Sequence, residues 1–252
     1  MTTSLSRFLP AFALAAVFAT SASGAILVPQ PVSAGFNEDI VASGTGSAAA
    51  NTSTTYDRFR VLYSEDFANA STYGGGLPAN GFITSANGSG NQYQLADYTQ
   101  NNALLMKGQT SGALTFQNPD SFTQIGLLAA SAEGASNVSF TLNFAGGGTQ
   151  SGNLAIADWW NGADAVIQGV GRVHRTSGVF DGLASNNPRL YEYIIDVDAA
   201  LQNESLVSIS FSNQTSGANA AIFAVSAIPE PSTYAALFGV LAALFILRRR
   251  RA

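Results

Sequence analysis

Apolar and polar residues alternate with a period of two along much of the chain between residues 56 and 227. In VSFTLNF (138–144), four apolar side chains fall on one face and three polar ones on the other. Alternation of this kind predicts a β-strand with one buried face. Further strands are predicted at FRVLY (59–63), ALTFQ (113–117), TQIGLLAAS (123–131), NLAIADWW (153–160), AVIQGV (165–170), YEYIIDV (191–197), VSISF (207–211) and AIFAVSAI (221–228).

Glycine and asparagine clusters such as Gly146-Gly147-Gly148 separate these runs and mark turns. About ten short strands joined by such turns predict an all-β fold, a β-sandwich or jelly roll, over residues 56–227. Residues 26–55 show no clear period and end in the low-complexity stretch SGTGSAAANTSTT. We therefore predict that residues 26–55 form a flexible linker.

The composition narrows the class of protein. Charged residues make up 11% of the chain, against about 25% in ordinary soluble domains. The region between Ile26 and Ile228 holds six basic and fifteen acidic residues, hence a net charge of −9. A surface this acidic repels nucleic acid, so we expect no nucleic-acid partner. The chain has no cysteine, which excludes disulfides and thiolate metal sites.

Residues 1–25 have the layout of a signal peptide. Arg7 supplies a positive charge, residues 8–19 form an apolar run, and Ser23-Gly24-Ala25 is a small-residue cleavage triplet. The apolar run is too short to span a bilayer. We expect an exported protein whose mature form begins near Ile26.

Residues 228–252 combine a Pro-Glu-Pro triplet, an apolar run and four arginines. The uncharged run 232–247 would be about 24 Å long as a helix, against about 30 Å for a bilayer core. Arginine side chains extend the reach of a short span, and by the positive-inside rule they stay in the cytoplasm. We expect a short transmembrane helix with the preceding domain outside the inner membrane.

This C-terminal layout resembles the PEP-CTERM sorting signal. The matching residues are Pro229, Glu230 and Pro231 for the motif, 234–247 for the transient span, and Arg248, Arg249, Arg250 and Arg251 for the stop-transfer cluster. The resemblance implies exosortase, a membrane-embedded transpeptidase, as a partner that releases or transfers the protein. It also implies a single-pass inner-membrane form before processing and a cell-surface or extracellular form afterwards. A permanent single-pass anchor is the alternative and gives the same topology.

The order of the predicted strands also resembles the galactose-binding-like jelly roll of other exported PEP-CTERM proteins. A strand runs into ADWW (157–160), LYEYIIDVD (190–198) follows, and AIFAVSAI (221–228) closes the domain. The resemblance concerns architecture and implies no particular ligand.

Catalytic motifs are sparse in this sequence. His174 is the only histidine, and no nucleophile motif accompanies it, so we expect a surface strand histidine and no enzyme. The carboxylates Glu65-Asp66 and Asp196/Asp198 keep a secreted glycoside hydrolase open as an alternative. We expect no cofactor, although the oxygen-rich loops leave a structural calcium ion open; the residues of a metal site remain unassigned.

Trp159 and Trp160 form the most distinctive internal feature, with Asp158 before them and Asn161 after them. Adjacent residues on a strand face opposite sides, so one tryptophan is expected in the core and the other at the surface. An exposed indole could stack on a sugar while Asp158 and Asn161 bond its hydroxyls. The alternative is that both indoles are partly buried and serve the fold alone.

These observations predict an exported cell-surface or matrix protein, with a structural or adhesive role in an exopolysaccharide biofilm or floc. A carbohydrate-binding module is the first alternative, and a secreted glycoside hydrolase is the second. The expected partners are exosortase, the inner membrane during export, and extracellular polysaccharide.

Overall fold

The computed structural model describes residues 25–68 and 70–230. The predicted signal peptide up to Gly24 lies outside these residues, as does 231–252 with the expected span and the arginine cluster. Within the described part, no helix is long and apolar enough to cross a membrane.

Almost all regular structure in the described residues is β-strand. In chain order the elements are β1 (Val28–Pro29), β2 (Val32–Ala34), β3 (Val41–Ala42), β4 (Arg60–Tyr63), α1 (Ala70–Tyr73), β5 (Phe82–Thr84), β6 (Gln92–Gln94), β7 (Leu104–Lys107), β8 (Ser111–Asp120), β9 (Phe122–Ala132), β10 (Ser136–Phe144), β11 (Thr149–Ile156), β12 (Ala165–Gln168), β13 (Arg172–His174), β14 (Phe180–Asp181), a 3₁₀ turn (Leu183–Ser185), β15 (Arg189–Asp196), β16 (Leu206–Asn213) and β17 (Asn219–Pro229).

Two large antiparallel sheets form a sandwich, as the strand pattern predicted. The six-stranded sheet has the order β1-β17-β9-β15-β12, and β7 also pairs with β17. The five-stranded sheet has the order β11-β10-β16-β8-β2. A smaller sheet, β14-β13-β4-β3, and the hairpin β5-β6 complete the described sheets. The all-β fold class is confirmed.

The first core lies between the two large sheets. In β10, Phe140 and Leu142 point into it, while Thr141 and Asn143 face outward. Because every second side chain is apolar, this sheet buries one face and leaves the other in water.

The six-stranded sheet is covered on both faces. The second core packs Leu128, Ala130 and Phe223 against its other face, beneath Tyr93 of the β5-β6 hairpin and Trp159. Burial on both sides explains why β9 and β17 read as nearly continuous apolar runs rather than as alternating ones. A third cluster, which includes Val61 and Tyr63, lies under the small sheet.

The interpretation of residues 26–55 as a flexible linker is wrong for the described structure. This segment supplies β1, β2 and β3, which pair with β17, β8 and β4. Leu27 and Ile40 are fully buried. Short strands of two or three residues are too brief to show a period, so the pattern could not reveal them. Among the described residues, the buried apolar ones lie between Leu27 and Ala227.

Candidate functional site

The two tryptophans lie in a turn and not on a strand, which corrects the reasoning from strand alternation. β11 ends at Ile156, and Asp158 forms an isolated bridge with Ser131. The carboxylate of Asp158 fixes the turn, since Oδ1 accepts from the Trp160 N–H at 2.8 Å and Oδ2 from the Gly134 N–H at 2.7 Å. The two indoles point in different directions because they lie in a turn, and not because successive side chains alternate along a pleated strand.

Trp159 belongs to the second core and is 1% exposed. Its ring meets Tyr56 edge-on, with centroids 4.6 Å apart. Its backbone N–H donates to the Ser131 carbonyl at 2.7 Å. Trp159 therefore anchors the turn to the sandwich.

Trp160 is only partly buried and carries a guanidinium over its ring. The Arg172 Cζ lies 4.3 Å from the ring centroid, a cation–π arrangement. Arg172 is held in turn by Asp57 and Asp181, each at 2.5 Å, and Asp181 also accepts from Arg60 at 2.7 Å. Because these ion pairs fix Arg172, they also fix the orientation of the Trp160 indole.

Asn161 and Asp158 are engaged within the fold. Asn161 has a φ of 64° and exchanges two hydrogen bonds with Asn187, at 2.9 and 2.8 Å. The Nδ2 amide group of Asn161 donates to no group in the described residues. It therefore remains available as a donor to a ligand, whereas the Asn187 Nδ2 is already bonded to Asn161. The four predicted contact residues are thus brought together, with the polar groups mainly stabilising the turn.

A cleft of about 600 Å³ opens beside Trp160. It is lined by Asp57, Arg58, Arg60, Glu133, Gly134, Asp158, Trp159, Trp160, Arg172 and Gly217. Three arginines face three carboxylates, so the formal charges in the lining cancel. Burial raises the pKa of the Asp57 carboxyl, while the Arg172 charge acts in the opposite direction. Such a cleft offers fixed donors and acceptors around one indole and can bind a polar, uncharged ligand.

Phe59 is a candidate site residue that the sequence pattern misplaced. Alternation in FRVLY put it on the buried face, but it lies in the turn 57–60 and is 60% exposed. Its ring stacks on His174 with centroids 5.5 Å apart and planes 19° apart. Its chain neighbours Arg58 and Arg60 both line the cleft. The exposure of Phe59 follows from the turn between Asp57 and Arg60 and not from the period of the strand.

His174 itself lies in β13, partly exposed, as a surface strand histidine. Its Nδ1 accepts from the Ser177 N–H at 3.1 Å.

A second and larger groove, of about 980 Å³, lies elsewhere on the surface and is lined largely by polar residues. It includes Asp39, Asp66 and Asp97. Burial raises the pKa of Asp39 to about 6, against the lowering effect of hydrogen bonds from Asn102 and Val41. This groove brings three carboxylates into one depression, as the cleft beside Trp160 also does, whereas Asp196 and Asp198 line neither.

The other predicted carboxylates are structural or solvated. Asp196 is exposed and accepts from Gln124 at 2.7 Å, and Asp198 is exposed. Asp66 accepts a hydrogen bond from Ser64. Among residues 25–68 and 70–230, no group of three or more His, Asp or Glu side chains is placed to hold a metal ion. The structural calcium ion stays a prediction.

No protein-family model matches the chain, and no curated protein matches it. Similar solved structures include a mutant of CBM29-2, studied for ligand recognition by family 29 carbohydrate-binding modules. It is 13% identical with a TM-score of 0.31, covering 57% of this chain and 86% of that one. TmCBM61 in complex with β-1,4-galactotriose is 12% identical with a TM-score of 0.29, covering 51% and 69%. These scores are too low for the likeness to bear on function.

Proposed function

We propose that this chain is an exported protein of the cell surface or extracellular matrix whose β-sandwich binds neutral polysaccharide without cleaving it. Export rests on the signal-peptide layout of residues 1–25. Surface delivery rests on the Pro229-Glu230-Pro231 motif and the tail that follows, with exosortase as the processing partner. The role is adhesive within a polysaccharide matrix.

The observation that supports binding is the cleft beside Trp160. Its indole is held in place by Arg172 and the ion pairs behind it, so little ordering is needed when a ligand arrives. Guanidinium and carboxylate groups at fixed positions suit the paired donors and acceptors of sugar hydroxyls. Phe59, which lies in the chain between Arg58 and Arg60 of the lining, adds an exposed apolar ring for the C–H face of a sugar.

The charge distribution favours neutral polymers. The cleft lining is formally balanced, whereas the region between Ile26 and Ile228 carries a net charge of −9. An anionic polymer would be repelled by the surface around the cleft. Each site is expected to bind weakly, and many copies in a matrix would supply useful avidity.

The test of binding is affinity electrophoresis of residues 25–230 in gels containing neutral or anionic polysaccharides. We expect retardation by a neutral polymer and its loss in Trp160→Ala and in Phe59→Ala. Phe82→Ala is the matched control, because Phe82 is also an exposed phenylalanine, but its chain neighbours do not line the cleft as Arg58 and Arg60 beside Phe59 do. Circular dichroism confirms that each variant is folded. Retention of binding in Trp160→Ala, or equal loss in Phe82→Ala, would contradict the proposal.

The test of export uses protein from the native host. We expect the N-terminus of the exported form to lie between about Ala22 and Ile26, and its mass to exclude Arg248–Arg251. A surface form that begins at Met1 would refute the signal peptide. A surface form that keeps the arginines would favour the permanent anchor over exosortase processing.

Hydrolysis is a second candidate because Asp39 combines a raised pKa with a position in the larger groove. A carboxylic acid that stays protonated near pH 6 can serve as the general acid of glycoside hydrolysis when a second carboxylate lies across the cleft. Release of reducing sugar, lost in Asp39→Asn and kept in Trp160→Ala, would support it. Absence of release from neutral polysaccharides at pH 5–7 would remove it.

A further inference from the structure

β11 is a long edge strand with nothing paired to its outer side in the described structure. All eight of its residues, Thr149–Ile156, face partners on β10 in one continuous register without a bulge. Sheet geometry turns half of its backbone N–H and C=O groups away from β10. Within residues 25–68 and 70–230, no hydrogen bond reaches those groups. The strand is therefore a free template for another strand.

The other edge strands of the described sheets are shorter than β11 or protected against pairing with another strand. Each of the remaining edge strands, among them β1, β2, β7 and β12, has four residues or fewer. β1 contains Pro29, and β7 ends at Lys107. The pairings of β2 and β12 both carry register shifts. Proline, lysine, shortness and bulges are the usual protections against edge-to-edge pairing, and β11 has none of them.

The side chains of β11 also allow it to meet a copy of itself. The strand TQSGNLAI has no charge in a domain that is otherwise acidic, so two copies bring no like charges together. Ser151 and Asn153 are exposed on the outer face, and Leu154 is buried in the first core. Gly152 lies under the Phe140 ring of β10 and keeps its place in the continuous register of the strand.

We propose that two copies of this chain pair antiparallel through β11 about a two-fold axis. Antiparallel pairing of identical strands is self-complementary, as a two-fold dimer requires. The two five-stranded sheets then become one continuous sheet. The pairing rests on backbone groups and does not depend on the function proposed for the cleft.

The dimer also extends a shared polar surface. The outward side chains of β11, β10 and β16 are mostly hydroxyls and amides, linked by bonds such as Thr141–Ser151 at 2.8 Å and Asn143–Ser210 at 3.1 Å. Joining two copies at β11 doubles the width of this uncharged face. It also places two clefts on one particle, which raises the valency available to a polymer.

Cysteine cross-linking tests the geometry, because the chain has no cysteine of its own. Single variants Ser151→Cys, Asn153→Cys and Ala155→Cys are oxidised mildly, alone and mixed in pairs. Each is made in the full chain in non-ionic detergent and in residues 25–230. We expect a disulfide-linked dimer from at least one residue or pair, since facing Cα atoms in a ladder lie within disulfide range. Ser210→Cys, two strands away on the same face, is the control and should not cross-link.

Sedimentation of residues 25–230 tests the equilibrium. We expect a dimer whose fraction rises with concentration and which Asn153→Lys converts to monomer, because a lysine at the edge repels its copy. Ala113→Lys adds the same charge to the same face on β8 and should leave the dimer intact. Monomer at all concentrations together with no cross-link, or equal effects of the two lysines, would overturn the proposal.

Discussion

The two adjacent tryptophans are expected to respond very differently to the same substitution. Trp159 is 1% exposed and packs edge-on against Tyr56, whereas Trp160 is partly buried and contacts Arg172. Alanine at each position removes the same number of atoms. The difference in the free energy of unfolding therefore reports the difference in environment alone.

The magnitudes follow from these contacts. Truncation of a buried aromatic to alanine costs about 3–5 kcal/mol, and an edge-to-face pair adds about 0.5–1.5 kcal/mol. We expect Trp159→Ala to lower the free energy of unfolding by about 4 kcal/mol, a large part of the 5–15 kcal/mol typical of a domain. Trp160→Ala loses partial burial and one cation–π contact, so we expect a cost of about 1–2 kcal/mol.

The assay is equilibrium unfolding of residues 25–230 in urea, followed by circular dichroism and by the fluorescence of the remaining tryptophan. The same samples are run in affinity electrophoresis. Trp159→Ala should unfold at a lower urea concentration than wild type. Trp160→Ala should unfold close to wild type and fail to bind. Equal losses of stability, or a larger loss for Trp160→Ala, would refute the assignment of roles.

Two further predictions concern buried polar groups. The Tyr56 hydroxyl is buried and has no hydrogen-bond partner in the described residues, so Tyr56→Phe should raise the free energy of unfolding by about 1 kcal/mol in urea melts; a loss of similar size would show that the hydroxyl has a partner. The pKa of Asp39 is about 6 in the folded protein, above its unfolded value of about 3.9, so the folded state holds its proton more tightly. Wild type should therefore lose stability relative to Asp39→Asn as the pH rises from about 4 to 6, with a constant difference above about pH 7; a difference that does not change with pH would contradict the burial of this carboxyl.

The β-sandwich could be predicted from the sequence because a sheet that is buried on one face requires apolar and polar residues to alternate along its strands. β10 and β16 show it clearly, since one face meets the first core and the other meets water. The same rule failed at Phe59, where a turn between Asp57 and Arg60 replaces the start of the expected strand. A turn of this kind is fixed by backbone hydrogen bonds, which leave no period in the side chains.

The segment 26–55 shows a different reason why prediction from sequence fails. Its polar, small residues resemble a linker by composition, but Leu27 and Ile40 are buried and Asn102 accepts from the Ile40 N–H at 3.0 Å. Partners such as Asn102 lie far away in the chain, so no local window of sequence contains the information. Trp159 and Trp160 were identified from residue type alone, but the Arg172 and Asp181 that fix the Trp160 side chain came together only in the fold.

The arginines of the cleft differ in whether the fold alone explains them. Of the six basic residues between Ile26 and Ile228, three line this one cleft. Arg172 and Arg60 have close carboxylate partners, so the fold alone accounts for them. Arg58 does not fit that account: its side chain is 74% exposed and its nearest carboxylate oxygen, on Glu133, is 3.9 Å away. An exposed pair of this kind contributes little to stability, so Arg58→Ala should change the free energy of unfolding by less than about 0.5 kcal/mol. If the cleft binds sugar, the same variant should weaken retardation in neutral-polysaccharide gels, because it removes the donor most accessible to a ligand. Unchanged binding would confine the arginines of the cleft to a structural role, and any sugar contact there would then rest on the aromatic rings of Trp160 and Phe59.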